Sequence, residues 1–298
     1  MVPFSRFIMS FALLFALLAP FMYAMTNVLD KYILAHRVRR AWGYIALTGL
    51  VNIAFAVIVG LLLDWSEVAP SALLFPIIAG VVGGLQTYCY LLVLHKEDVS
   101  YMLGFMFLYP ALIAVASYFL LGEIIALWGY LGMLLILVGA VLLSIRFGKV
   151  KGGAGWWLIA GMTVLTAANV FLIKVSSSAI PALQGTVALS AAFGVTLLAS
   201  VAHPRVWREF SKELHNVHWA AISEAFTMVG IACMFFAMAL PATIVASLAG
   251  IRPLIVLMME RFVDTFGRRI SRDHLLLPKL VPILLIVLGV VLIYATAP

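Results

Sequence analysis

Charge is what this sequence has least of: Asp, Glu, Lys and Arg make up 10% of its 298 residues, against 65% apolar. Soluble domains carry about a quarter charged residues. The chain therefore lacks the polar surface needed to face water all round, and its solvent is largely lipid. Cysteine is scarcer still. Cys89 and Cys233 both lie inside apolar runs, and they say nothing about redox compartment. Also missing are a Gly-x-Ser-x-Gly elbow, a metalloprotease His pair and a Gly-rich phosphate loop. Nothing points to an enzyme, to a cofactor or to nucleotide hydrolysis. His215 and His218 stand three apart, but no recognisable ligand set completes a metal site around them.

What the sequence has is long apolar runs. A bilayer core of about 30 Å takes about 20 apolar residues per helix. It excludes open sheets, because unpaired backbone groups find no water there. Runs bounded by charge, Pro or Gly predict ten transmembrane helices, at 7–30, 42–63, 70–94, 99–121, 124–146, 155–177, 181–202, 217–240, 242–262 and 278–296. The first run reads as a retained helix rather than a signal peptide, since no convincing small-residue cleavage site follows it.

The two halves resemble each other. Tyr109-Pro110-Ala111-Leu112 corresponds to Arg252-Pro253-Leu254-Ile255, Asn27-Val28 to Asn169-Val170, and Gly139 to Gly289. The expected fold is an all-α polytopic membrane protein made of two five-helix units, 1–150 and 151–298. An odd number of helices per unit inserts the two with opposite orientation, which is the inverted-repeat plan of many secondary transporters.

Of the 19 Lys and Arg residues, 16 fall at loops on one side of this arrangement, with only Arg6 and Lys174 on the other. The positive-inside rule places the basic loops in the cytoplasm and both termini on the outer side of the cell (inner) membrane. Orientation thus accounts for the formal net charge of +7 with no appeal to nucleic acid. The segment around Trp207, Phe210 and Leu214 interleaves with Arg208 and Lys212. It reads either as a surface helix with aromatic anchors or as a solvated loop.

A charge buried in a membrane helix is costly, and so is a functional candidate by default. Within these helix limits only Glu224 and Arg252 lie deep. Their heights differ by about 6 Å at 1.5 Å per residue, so they pair if their faces meet. Three readings stay open: a structural ion pair, an Arg252 whose planar fork reads an anionic group of the substrate, and a Glu224 that takes up protons and couples transport to them. Other polar groups complete a candidate cavity. Gln86 and Tyr90, four apart, share one face of the third helix. Tyr109 occupies the position equivalent to Arg252, and Asn27 and Asn169 are equivalents in the first and sixth helices. A single Asn or Gln is more often interhelical glue than a ligand. Pro110 and Pro253 each remove a backbone hydrogen bond and permit a bend. Gly80 and Gly84, like Gly129 and Gly132, offer small-residue packing faces.

Asp30-Lys31-Tyr32 at the end of the first helix, Leu108-Tyr109-Pro110-Ala111 in the fourth, Leu121-Gly122-Glu123 after it, and Gly132 and Gly139 in the fifth resemble the EamA-like branch of the drug/metabolite transporter superfamily. The resemblance spans nearly the whole chain. It implies two inverted five-helix repeats around a central cavity, with export of amino acids or related metabolites as the commonest role. Other branches carry nucleotide sugars, organic phosphates, choline or lipid-linked groups. Two features depart from the pattern. The second half holds Asp264-Thr265-Phe266-Gly267 where a Leu-Gly-Glu is expected, and the charge map puts the termini outside whereas characterised relatives keep them in the cytoplasm. The expected function is secondary transport of a small anionic or zwitterionic metabolite, amino-acid-like or an organic phosphate, with proton coupling as an option. A flippase for a phosphorylated lipid carrier is the alternative. The expected partners are that small-molecule or lipid substrate and the bilayer; oligomeric state is not legible.

Overall fold

The computed structural model describes residues 2–94, 106, 108–122, 126–145, 154–265 and 277–296, and no strand occurs among them. In chain order the helices are α1 (Val2–His36), α2 (Ala41–Gly60), α3 (Leu74–Leu94), α4 (Tyr109–Leu121), α5 (Leu127–Ile145) and α6 (Ala154–Ser177). There follow α7 (Ala182–Leu198), α8 (Pro204–Glu213), α9 (Val217–Ala237), α10 (Ala242–Leu248), α11 (Arg252–Thr265) and α12 (Leu277–Thr296). Among the described residues, six segments are long and apolar enough to cross a membrane: Phe11–His36, Ala41–Gly60, Pro70–Leu94, Trp157–Ser177, Ala182–Ala202 and Pro204–Ala237. Leu61, Phe119, Leu120 and Trp157 are among the large side chains exposed on the outside, as lipid rather than water requires of a membrane helix.

α1 packs along α9 and α11, and α6 along α3 and α4; α2 crosses α7, α3 lies on α7, and α5 pairs with α12. Close crossings are made where side chains vanish. A Cβ on Gly49 would stand 2.9 Å from the Gly194 carbonyl oxygen, and one on Gly194 would stand 2.7 Å from that of Gly49. The α5–α12 pair meets in the same way, Gly139 against the Pro282 carbonyl (2.7 Å) and Gly289 against that of Gly132. Gly80 and Gly84 lie on α7, against Leu189 and Thr196. Small residues let helix backbones approach in lipid, where dispersion rather than water expulsion drives association.

The structure amends the expected elements in three places. α1 does not stop at residue 30 but runs on to His36, because Ile33 and Leu34 continue its buried stripe and the breaking cluster of basic residues comes only at 37–40. The ninth expected span, 242–262, is broken: α10 gives way to a tight turn over Ala249–Ile251 before α11 starts at Arg252. Pro253 has no N–H to give the Ala249 carbonyl, so the regular ladder cannot continue. Pro110 likewise sits in the first turn of α4. The 204–213 segment is a helix, with Val206 and Phe210 buried and Trp207 exposed. It is tied to the 37–40 loop by Arg40–Glu209 (2.8 Å) and by the Arg39 amide donating to Glu213 (3.0 Å). The expected start of the fourth helix and the basic segment around Arg268, Arg269, Arg272 and Asp273 lie outside the described residues, as does Glu123.

Beyond the far end of α2, the Ser66 amide donates to Asp64 (2.9 Å). That bond holds this exposed carboxyl below the usual range.

Candidate substrate cavity

Seven helices converge on a cavity of about 130 Å³, similar in size to an engineered protein cavity of about 150 Å³ that binds benzene. α1, α3, α6 and α9 form most of its wall, with Leu189 and Phe193 from α7, Tyr109 from α4 and Arg252 from α11. Arg252, Glu224, Tyr109, Gln86, Tyr90, Asn27 and Asn169 all line it. Seven residues picked from six separate runs of sequence therefore share one space.

Proline and the tight turn explain how Arg252 reaches it. The break over Ala249–Ile251 makes Arg252 the first residue of a new helix, so its side chain need not follow the face of α10. The guanidinium carbon stands 4.5 Å from the ring centroid of Tyr23 on α1. A cation over an aromatic face gains electrostatic attraction from the ring. Tyr109, its sequence equivalent, donates to the Ala246 carbonyl at 3.4 Å.

Glu224 and Arg252 do not form the ion pair that their similar heights allowed. Glu224 instead accepts from Asn52 on α2 (2.9 Å), and Asn52 also donates to the Thr48 carbonyl (2.9 Å). Height along the helix was legible in the sequence, whereas the facing directions were not. They turn Glu224 toward α2 and Arg252 toward Tyr23. One carboxylate and one guanidinium thus border the same cavity without neutralising each other by contact.

A third deep charge, Asp30, escaped the sequence reading because the first helix was ended on it. The continuation of α1 carries Asp30 into the wall, where it is 3% exposed. Tyr44 and Ser223 both donate to Oδ1 (2.6 Å each) and Tyr90 to Oδ2 (3.1 Å). Asn27 Nδ2 donates in turn to the Tyr90 hydroxyl (2.8 Å), while Asn27 Oδ1 is buried without a partner among the described residues. These hydroxyls come from three other helices and replace the water a carboxylate would otherwise keep, which is how a buried charge is tolerated. The signal that was available was Asp30-Lys31 itself, a charged pair followed by the helix-compatible apolar run Tyr32-Ile33-Leu34-Ala35. On the far wall Asn169 donates to the Ala79 carbonyl of α3 (2.7 Å), and Thr26 meets Thr227 (3.1 Å).

Asp30 and Glu224 are neighbours through Ser223, which precedes Glu224 and binds Asp30. Arg252 lies at the level of Tyr23, seven residues from Asp30 on α1, or roughly 10 Å along the helix. The cavity is therefore polarised along the membrane normal, with acid toward the basic-loop end and the cation nearer its middle.

A protein of known crystal structure shares this fold at a TM-score of 0.68, with 18% identity over 97% of this chain and 98% of its own. No curated protein matches the chain in sequence. Residues 10–145, just under half of the chain, match the EamA-like transporter family.

Proposed function

We propose that the protein is a secondary transporter of a small zwitterionic metabolite of amino-acid type, held with its acid group on Arg252 and its amine on Glu224 and Asn27. The observation that carries this reading is that an acid and a cation border one cavity, Glu224 bonded to Asn52 and Arg252 stacked on Tyr23. An ammonium supplies donors for Glu224 and for the buried Asn27 Oδ1; a carboxylate suits the N–H edge of a stacked guanidinium. The small volume speaks for such a solute over a lipid-linked group.

The same proposal takes the halves 1–150 and 151–298 as inverted repeats. Helix packing supports this: α1 on α9 is answered by α6 on α3, α1 on α11 by α6 on α4, and the α2–α7 and α5–α12 pairs map onto themselves. It also keeps the basic face in the cytoplasm, on the strength of 16 Lys and Arg residues against two.

Ligand-induced thermal stabilisation of the purified protein, followed by uptake into proteoliposomes, tests the assignment, since a ligand that binds the native state raises its stability by mass action. Arg252→Gln is expected to abolish both responses to amino acids. Glu224→Gln is expected to lose amine-bearing ligands and retain simple carboxylates. Normal amino-acid transport by Arg252→Gln would overturn the reading.

A further inference from the structure

Two lysines sit at the ends of the cavity wall and belong to neither its acid nor its cation. Lys31 of α1 donates to the carbonyl of Leu94, at the described end of α3 (2.9 Å). Lys174 of α6 donates to the carbonyls of Met238 and Leu240, just past the end of α9 (2.8 and 2.9 Å). The last carbonyls of a helix have no donor within it and carry the negative end of its dipole, so an ammonium caps them well. In both cases the cap comes from a different helix, and all four helices involved line the cavity.

The two caps lie at opposite faces. Asn216, at the start of α9, donates to the carbonyl of Arg37, just past the end of α1 (3.2 Å). α9 therefore begins beside the end of α1 and runs back along it. Lys31 lies near that end of α1, while Lys174 holds the other end of α9. The cavity is between them.

We propose that Lys31 and Lys174 are the latches of the transport path, one for each face of the membrane. Lys31 closes α1 onto the end of α3 at the basic face, Lys174 closes α6 onto the end of α9 at the opposite face, and alternating access breaks them in turn. Both are made in this structure. A lysine suits a contact that must open, because its compact, strongly hydrated ammonium on a flexible stem returns to water readily. The inference rests on the reading of the cavity as the substrate path, and the experiment separates the two.

In a background of Cys89→Ser and Cys233→Ser, Thr87→Cys places one thiol on the cavity wall. A membrane-impermeant maleimide is then applied from each face of oriented vesicles. Lys174→Met is expected to raise the labelling rate only from the face opposite the basic loops, and Lys31→Met only from the basic face. The expected rise is about tenfold or more, the change in an opening equilibrium that loss of one charged hydrogen bond gives. Unchanged rates, or both variants raising access from one face, would overturn the latch assignment. A thiol that is never labelled from either face in any variant, yet reacts after denaturation, would defeat the cavity as the path instead. A contact that opens in every cycle is dispensable to folding, so failure of both the Met and the Gln variant of either lysine to accumulate as folded protein also counts against it.

Discussion

α1 and α6 each carry an asparagine on the cavity wall and, four or five residues on, a lysine that caps a neighbouring helix. The residue before the lysine differs: Asp30 in α1 and Ile173 in α6, both buried. Opposite them the asymmetry is reversed in sign, with Tyr109 in the first half and Arg252 in the second. Matched helices thus keep the features that set backbone approach and helix ends, and differ where a side chain meets the cavity. Packing tolerates little change in small residues at a crossing. The chemistry of a water-accessible wall is free to vary wherever partners exist to satisfy it, as Tyr44, Tyr90 and Ser223 satisfy Asp30.

The largest test of this contrast copies α6 into α1. Asp30→Ile removes the acceptor from three hydroxyl donors, at about 1–3 kcal/mol for each buried group left unpaired. A fall in stability of about 3 kcal/mol or more is expected in thermal or denaturant unfolding. An unshifted transition would show that the Asp30 network contributes nothing to the fold. Next in size are the paired crossings. Gly49→Ala and Gly194→Ala each push a methyl into the other helix's backbone, and each is expected to cost about 1–3 kcal/mol. The two costs should agree. A large difference between them would break the equivalence of the halves at α2 and α7.

Arg252→Lys keeps the charge but loses the planar fork and most of the stacking on Tyr23, which is worth about 0.5–2 kcal/mol. The expected outcome is roughly a tenfold weaker ligand in a titration, with an unfolding transition close to that of the parent. The smallest effect compares the two asparagines. Asn27→Ala and Asn169→Ala each lose one hydrogen bond, about 1 kcal/mol of stability. Only Asn27→Ala is expected also to weaken amine-bearing ligands, since only Asn27 has a buried oxygen without a partner. Equal effects on ligand titrations would remove Asn27 from the site.

Helix positions were legible because lipid requires long apolar runs, and the runs around 42–63, 70–94 and 155–177 reappear as α2, α3 and α6 within a few residues. Seven of the residues that line the cavity were legible because a polar side chain in such a run has few places to point except inward. Two matters were not. The stop of α1 was misread because Asp30-Lys31 resembles a loop when seen alone, and only donors from α2, α3 and α9 make a helix interior there acceptable. The partner of Glu224 was not legible because a residue's depth follows from counting along its own helix at 1.5 Å per residue, while its facing direction depends on which helices surround it. By itself, then, the sequence determined that the chain is a bundle of membrane helices, how deep each polar group lies and where proline breaks the ladder. The tertiary structure alone decided that Asp30 is clasped by hydroxyls, that Glu224 and Arg252 stay apart and that two lysines cap helices at opposite faces. Each of those contacts joins residues from helices distant in the chain, and no local periodicity encodes the rotation that brings them together.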